Sequence, residues 1–183
     1  MSAPVLRLVV GGLFVFVLAG STVYALVRST AGETGTTPKS INGIRCNRLE
    51  QLALHIHAHL DIFLGDRQIT VPARIGIPSS GLCIYWIHTH DTTGVIHIEA
   101  PADQASRSFT LGDFLAIWGK GPITSTSVAG VPIGHGQQLV VIVDGRHYTG
   151  DPNRILLKAH GRITLEIVPP ENPQPDFKFR DGL

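Results

Sequence analysis

Residues 54–63 read LHIHAHLDIF and residues 82–99 read LCIYWIHTHDTTGVIHIE. Polar and apolar residues alternate strictly through the first, which is the period of a half-buried β-strand rather than of a helix. In the first stretch His55, His57, His59 and Asp61 share one face, and Ile56, Ala58, Leu60 and Ile62 share the other. In the second, Asp91–Gly94 is a polar loop of hairpin length. Closing it sets His90 against Val95, His88 against His97 and Trp86 against Glu99. His88, His90 and His97 then leave one face, with Glu99 one step further along it, while Tyr85, Ile87, Ile96 and Ile98 form a core side. Cross-strand neighbours have Cβ atoms ~4.5–5.5 Å apart, so the three imidazoles can converge on one ion.

Working outward, further strands are expected at Gln68–Val71 after the turn at 64–67, at Leu82–His90 as one piece, and at Val95–Glu99. Others follow at Leu139–Val143, with a return at His147–Tyr148, and at Arg162–Val168. One helix is signalled by Thr110 as N-cap, an apolar face of Leu111, Phe114, Leu115 and Trp118, and Gly119 as a stop. Gly65, Pro72, Arg74 and Ile75 align at a constant offset with Gly145, Pro152, Arg154 and Ile155, a weak internal repeat. The expected fold is mostly β: a small β-sandwich or barrel with one short helix, preceded by an N-terminal transmembrane helix.

The 183 residues are 43% hydrophobic and 16% charged, with a net charge of +1, which suits one globular domain and leaves no basic footprint for nucleic acid. Residues 8–27 carry no charge and lie between Arg7 and Arg28. Twenty residues reach ~30 Å as a helix, enough for a bilayer core, so residues 1–28 are expected to be a membrane anchor, or else a cleaved signal segment. Residues 29–45 then form a flexible Gly/Ser/Thr-rich spacer, 46–168 a His-rich β domain, and 169–183 a Pro-rich tail or strap. The folded part is expected outside the cytoplasm, membrane-anchored, or secreted if the N-terminus is removed. In an oxidising compartment Cys46 and Cys83 are expected to pair, closing a loop worth ~3–4 kcal/mol, with free thiols or a thiolate ligand as alternatives.

The sharpest expectation is a transition-metal site. Six of the nine histidines lie in phase on these strand faces. Neutral imidazoles suit Zn²⁺ or Cu²⁺, and a set of three leaves a coordination position open. The only methionine is Met1, so there is no thioether to favour Cu⁺, and Fe or Mn rank behind. The ligand candidates are His88, His90 and His97, with His55, His57 and His59 completing that site or building a neighbouring one. Asp61 is a candidate ligand or partner to an imidazole. Glu99 and Asp91 are the candidates for a catalytic carboxylate. A metal-free, proton-sensitive histidine cluster is the alternative reading of the same pattern.

Tyr85-Trp86-Ile87-His88-Thr89-His90 resembles the Y-W-x-H-x-H copper-binding segment of multicopper oxidases. The His-x-His plus cross-strand His resembles the zinc ligand arrangement of α-type carbonic anhydrases. Both resemblances are local and imply ligand geometry, not activity. Across most of the folded domain, HAHLDIFLGDRQITVPARIGI, CIYWIHTHDTTGVIHIEAP and TLGDFLAIWG look like a family of small exported or membrane-anchored prokaryotic proteins. That resemblance implies a coherent site at the membrane without naming a reaction. Buffering or delivery of Zn or Cu is therefore the expected function. The alternatives are a metalloenzyme activating water or O₂ at an open three-histidine site, and an accessory subunit of a membrane complex with an unidentified protein partner.

Overall fold

The structure, a computed structural model, describes residues 38–79, 81–169 and 177–183. They belong to one compact unit, Pro38–Leu183. Among the described residues no helix is long and apolar enough to cross a membrane, and the apolar run 8–27 lies outside them.

The unit is mostly β with one helix and several sheets. Its strands are β1 (Cys46–Asn47), β2 (Leu54–Leu64), β3 (Arg67–Gln68), β4 (Ile84–Tyr85), β5 (Ile87–His88) and β6 (Val95–Ala100). After the helix α1 (Leu111–Trp118) come β7 (Ser127–Val128), β8 (Val131–Pro132), β9 (Gln138–Val143), β10 (Arg146–His147) and β11 (Arg162–Val168). The main sheet has seven strands in the order β10-β9-β11-β2-β6-β5, with β3 also paired to β2. This path has two ends, so the sheet is open and not the closed barrel that was one of the two expectations. β1 with β4, and β7 with β8, form separate two-stranded ribbons.

β2 organises the sheet because its two halves pair on opposite sides. Leu54–His59 runs antiparallel to β6, and His59–Leu64 runs parallel to β11. The apolar face of these strands supplies Ala58, Leu60 and Ile62 from β2, Ile96 and Ile98 from β6, and Ile163, Leu165 and Ile167 from β11, all buried. Leu111, Phe114 and Leu115 of α1 join the same core. Thr110 caps α1 as expected, and its hydroxyl and the Asp113 carboxylate close a reciprocal capping box. Gly119 ends the helix in the left-handed conformation that favours glycine.

The continuous strand expected over 82–90 is instead two pieces broken at Trp86. Residues 84–85 pair with β1, whereas 87–88 pair with β6. The buried Trp86 indole donates to Asn47 Oδ1 at 2.8 Å, and Cys83 is disulfide-bonded to Cys46. These two ties pull the first piece onto β1 and leave the second on the main sheet. The bond also removes both cysteines as thiolate ligands.

Candidate metal centre

Three adjacent strands present one polar face. In the main ladder His88 of β5 lies opposite His97 of β6, and His97 lies opposite His57 of β2. One register further, Glu99 pairs with His55; in the other direction Val95 pairs with His59. His97 is thus the centre of a block whose neighbours are imidazoles on both sides. The hairpin places His88 opposite His97 as the sequence pattern predicts, while the lateral match of β6 with β2 brings the second histidine series alongside.

The outer edge of this block is held by its backbone. Residues 72–76 run beside β5, where Arg74 N–H donates to Thr89 O and Thr89 N–H donates to Ile75 O. The buried Thr89 hydroxyl donates to Pro72 O and accepts from Ile75 N–H. Gly76, at φ +73°, lets this segment close in, since a Cβ there would fall 2.4 Å from Ile87 O and 3.1 Å from His88 Cβ. Gly94, at φ +82°, does the same at the hairpin loop, where a Cβ would meet Leu60 O at 2.4 Å.

Two groups of side chains offer donor atoms that all lie within 4.8 Å of one another: His88, His90, His97 and Glu99, and beside them His55, His57 and His97. Ligands at ~2.0–2.1 Å from a tetrahedral ion are roughly 3.3–3.4 Å apart. In the first group His88 Nε2 and His90 Nε2 are 3.2 Å apart, His97 Nδ1 and Glu99 Oε1 3.4 Å, and His88 Nε2 and Glu99 Oε1 3.8 Å. In the second, His57 Nε2 and His97 Nδ1 are 3.1 Å apart. His55 Nε2 also reaches Glu99 Oε1, at 3.3 Å.

The hydrogen bonds fix what His88 can do. Its Nδ1 lies 2.9 Å from Tyr85 O. A carbonyl only accepts, so Nδ1 carries the proton and Nε2 presents a lone pair. That lone pair faces the Glu99 carboxylate, which is also an acceptor. Glu99 is 2% exposed, and its Oε2 is buried with no hydrogen-bond partner. His90 Nε2 also approaches the His88 lone pair, at 3.2 Å, but a buried carboxylate oxygen without a partner is costly, and a nearby cation would lower that cost. Burial of the imidazole, opposed by Glu99 and the Tyr85 carbonyl, lowers the His88 pKa to about 4. Burial, with His97 and His55 nearby, lowers His57 to about 4 as well. Both are therefore neutral, ligand-ready imidazoles at pH 7. Burial alone would raise Glu99, but the hydrogen bond with His97 and the imidazoles of His88, His55 and His97 hold it below the usual carboxylate range.

The remaining candidates are placed elsewhere. His59 stands outside both groups: its Nε2 donates to Thr93 O at 2.9 Å, its Nδ1 faces Asp61 Oδ2 at 3.5 Å, and its ring stacks on Phe177 at 3.4 Å between centroids. Asp61 accepts from Gln68 Nε2 and serves His59 rather than an ion. Asp91 accepts from the Thr93 amide and hydroxyl, which lower its pKa and occupy it as a loop-closing group. His160 turns its Nε2 to Leu183 O at 2.7 Å, and His135 and His147 are exposed. One participant has no signal in the strand pattern. Glu50, in the loop between β1 and β2, brings Oε1 within 3.5 Å of His90 Nε2. Only its closeness in sequence to Cys46 hints at this, because the bond to Cys83 carries that loop toward β5.

These residues define a small mostly-β domain with histidine and glutamate groups that could hold a metal ion, and with one disulfide. The chain matches no protein-family model, no curated protein and no solved structure.

Proposed function

We propose that this protein binds a divalent transition-metal ion, Zn²⁺ or Cu²⁺, through His88, His90, His97 and Glu99. It would hold that ion on the outer side of a membrane to which residues 8–27 tether it, for buffering or delivery. The observation that carries this reading is His88, fully buried, with Nδ1–H spent on Tyr85 O and its Nε2 lone pair turned toward His90 Nε2 at 3.2 Å and toward a buried carboxylate whose other oxygen has no hydrogen-bond partner. A nitrogen and carboxylate donor set without thiolate or thioether favours Zn²⁺ or Cu²⁺ over Cu⁺, with Fe and Mn behind. The Cys46–Cys83 bond supports an oxidising compartment, and His90, whose side chain is 43% exposed, gives an ion a route in from solvent.

A second reading, a metalloenzyme activating water or O₂, is favoured by one feature. A cavity of about 120 Å³ borders His97 and is lined also by Asp91, Thr93, Val95, Phe177 and Arg180, so a small molecule could approach the ion there. The test of metal binding is elemental analysis of the full chain, purified in detergent without a histidine tag or chelator. At least one equivalent of Zn or Cu per chain, lost in His88→Ala/His90→Ala, is expected. No metal, with none taken up from added Zn²⁺ or Cu²⁺, overturns the reading.

A further inference from the structure

The two donor groups share His97, and Glu99 of the first group also touches His55 of the second. Glu99 Oε1 lies 3.8 Å from His88 Nε2 and 3.4 Å from His97 Nδ1, and it also lies 3.3 Å from His55 Nε2 of the second group. Donor atoms bound to one ion stand at most two bond lengths apart, roughly 4.2 Å. His55, His57, His88, His90, His97 and Glu99 do not form one mutually close set; they fall into two groups joined at β6. A single ion at the first group therefore leaves His55 and His57 unused, and His57 is buried with its Nε2 directed at His97. A second, independent observation is the buried Glu99 Oε2 without a partner. Glu99 Oε1 lies toward both sides, 3.8 Å from His88 Nε2 and 3.3 Å from His55 Nε2, so one carboxylate can reach an ion on either side.

We propose that the site is a two-ion centre in which Glu99 bridges one divalent ion held by His88, His90 and His97 to a second held by His55 and His57. Carboxylate-bridged pairs place their ions ~3.5–4 Å apart. Two dications at that distance repel, and the Glu99 carboxylate is the only anion lying between the two groups among the described residues, so the second ion binds more weakly than the first. The side chains of His55 and His90 are 42% and 43% exposed, so each half of the centre has its own solvent edge. This inference rests on the metal-binding reading above, and its test separates the two.

The full chain is titrated with Zn²⁺ and followed by native mass spectrometry, and separately with Cu²⁺ and followed by electron paramagnetic resonance. The expected result is two Zn²⁺ per chain in distinct affinity steps, with the isolated Cu²⁺ signal lost or dipolar-broadened as the second equivalent enters. His55→Ala/His57→Ala should keep one ion and an unbroadened Cu²⁺ signal, and Glu99→Gln should lose the second ion before the first. If the double variant fails to fold by circular dichroism, His55→Ala alone, at the exposed edge, should weaken the second step at least ~10-fold and leave the first unchanged. One ion in the unaltered chain, insensitive to His55→Ala, overturns the two-ion centre and leaves metal binding standing. No ion at all overturns metal binding itself.

Discussion

The two faces of β2 and β6 are chemically opposite, and both carry buried residues. On one side Ala58, Leu60, Ile62, Ile96 and Ile98 pack under α1 in a continuous core. On the other, His57, His59 and Glu99 are inaccessible and polar, and Glu99 Oε2 is left without a hydrogen-bond partner. Burying apolar surface stabilises a fold at about 25 cal/mol per Å², whereas burying polar groups costs free energy unless each finds a partner. The apolar face therefore accounts for the fold. The histidine face carries a desolvation cost that a bound cation would offset.

Substitutions on the two faces should separate these roles. The largest effect is expected for His97→Ala, which removes the residue common to both groups and should lower Zn²⁺ affinity by more than ~100-fold in a competition titration. If His97→Ala binds as the unaltered chain does, the shared position is wrong. On the core face, Leu60→Ala should cost about 3 kcal/mol of apo stability in denaturant unfolding while the folded fraction keeps its Zn²⁺ affinity. A core substitution that abolishes binding in still-folded protein would erase the contrast between the faces.

Acid sharpens the comparison. His57 and His88 have folded pKa values near 4, against an ordinary value of ~6.5 in the unfolded chain. Between those limits the unfolded state binds more protons, so stability rises with pH there. Their contribution is complete above pH ~6.5 and is lost as pH falls toward 4, at most roughly 3 kcal/mol for each group in the metal-free protein. His88→Ala should flatten this slope, and Leu60→Ala should leave it unchanged. The smallest effect is expected for Phe177→Ala, which removes the stack on His59: about 1 kcal/mol of stability, with Zn²⁺ affinity within a factor of about three. A large loss of affinity would instead make the 177–183 segment part of the site.

Much of this contrast was legible in the sequence because β-strands alternate strictly. The phase of His55, His57 and His59 against Ile56, Ala58 and Leu60 needs no tertiary information, and the Asp91–Gly94 loop fixes His88 opposite His97. The capped helix at Thr110 is equally local. Other features depend on pairings distant in sequence. No local signal matches β6 to β2, which places His57 opposite His97 and His55 opposite Glu99. The break at Trp86 arises from Asn47 and from the cysteine bond, and the Glu50 contact with His90 arises from the loop those ties position. His59 looked identical to His57 in pattern. It is diverted by Thr93 O and Phe177, groups that meet it only once the hairpin loop and the C-terminal segment have packed.

The most direct test of the central claim is anomalous diffraction at the zinc edge from crystals of the Zn²⁺-loaded full chain. A peak is expected ~2.0–2.2 Å from His88 Nε2, His90 Nε2, a ring nitrogen of His97 and a Glu99 oxygen. A peak confined to His135, His147 or other exposed side chains, with Glu99 still lacking any cation, would contradict that claim.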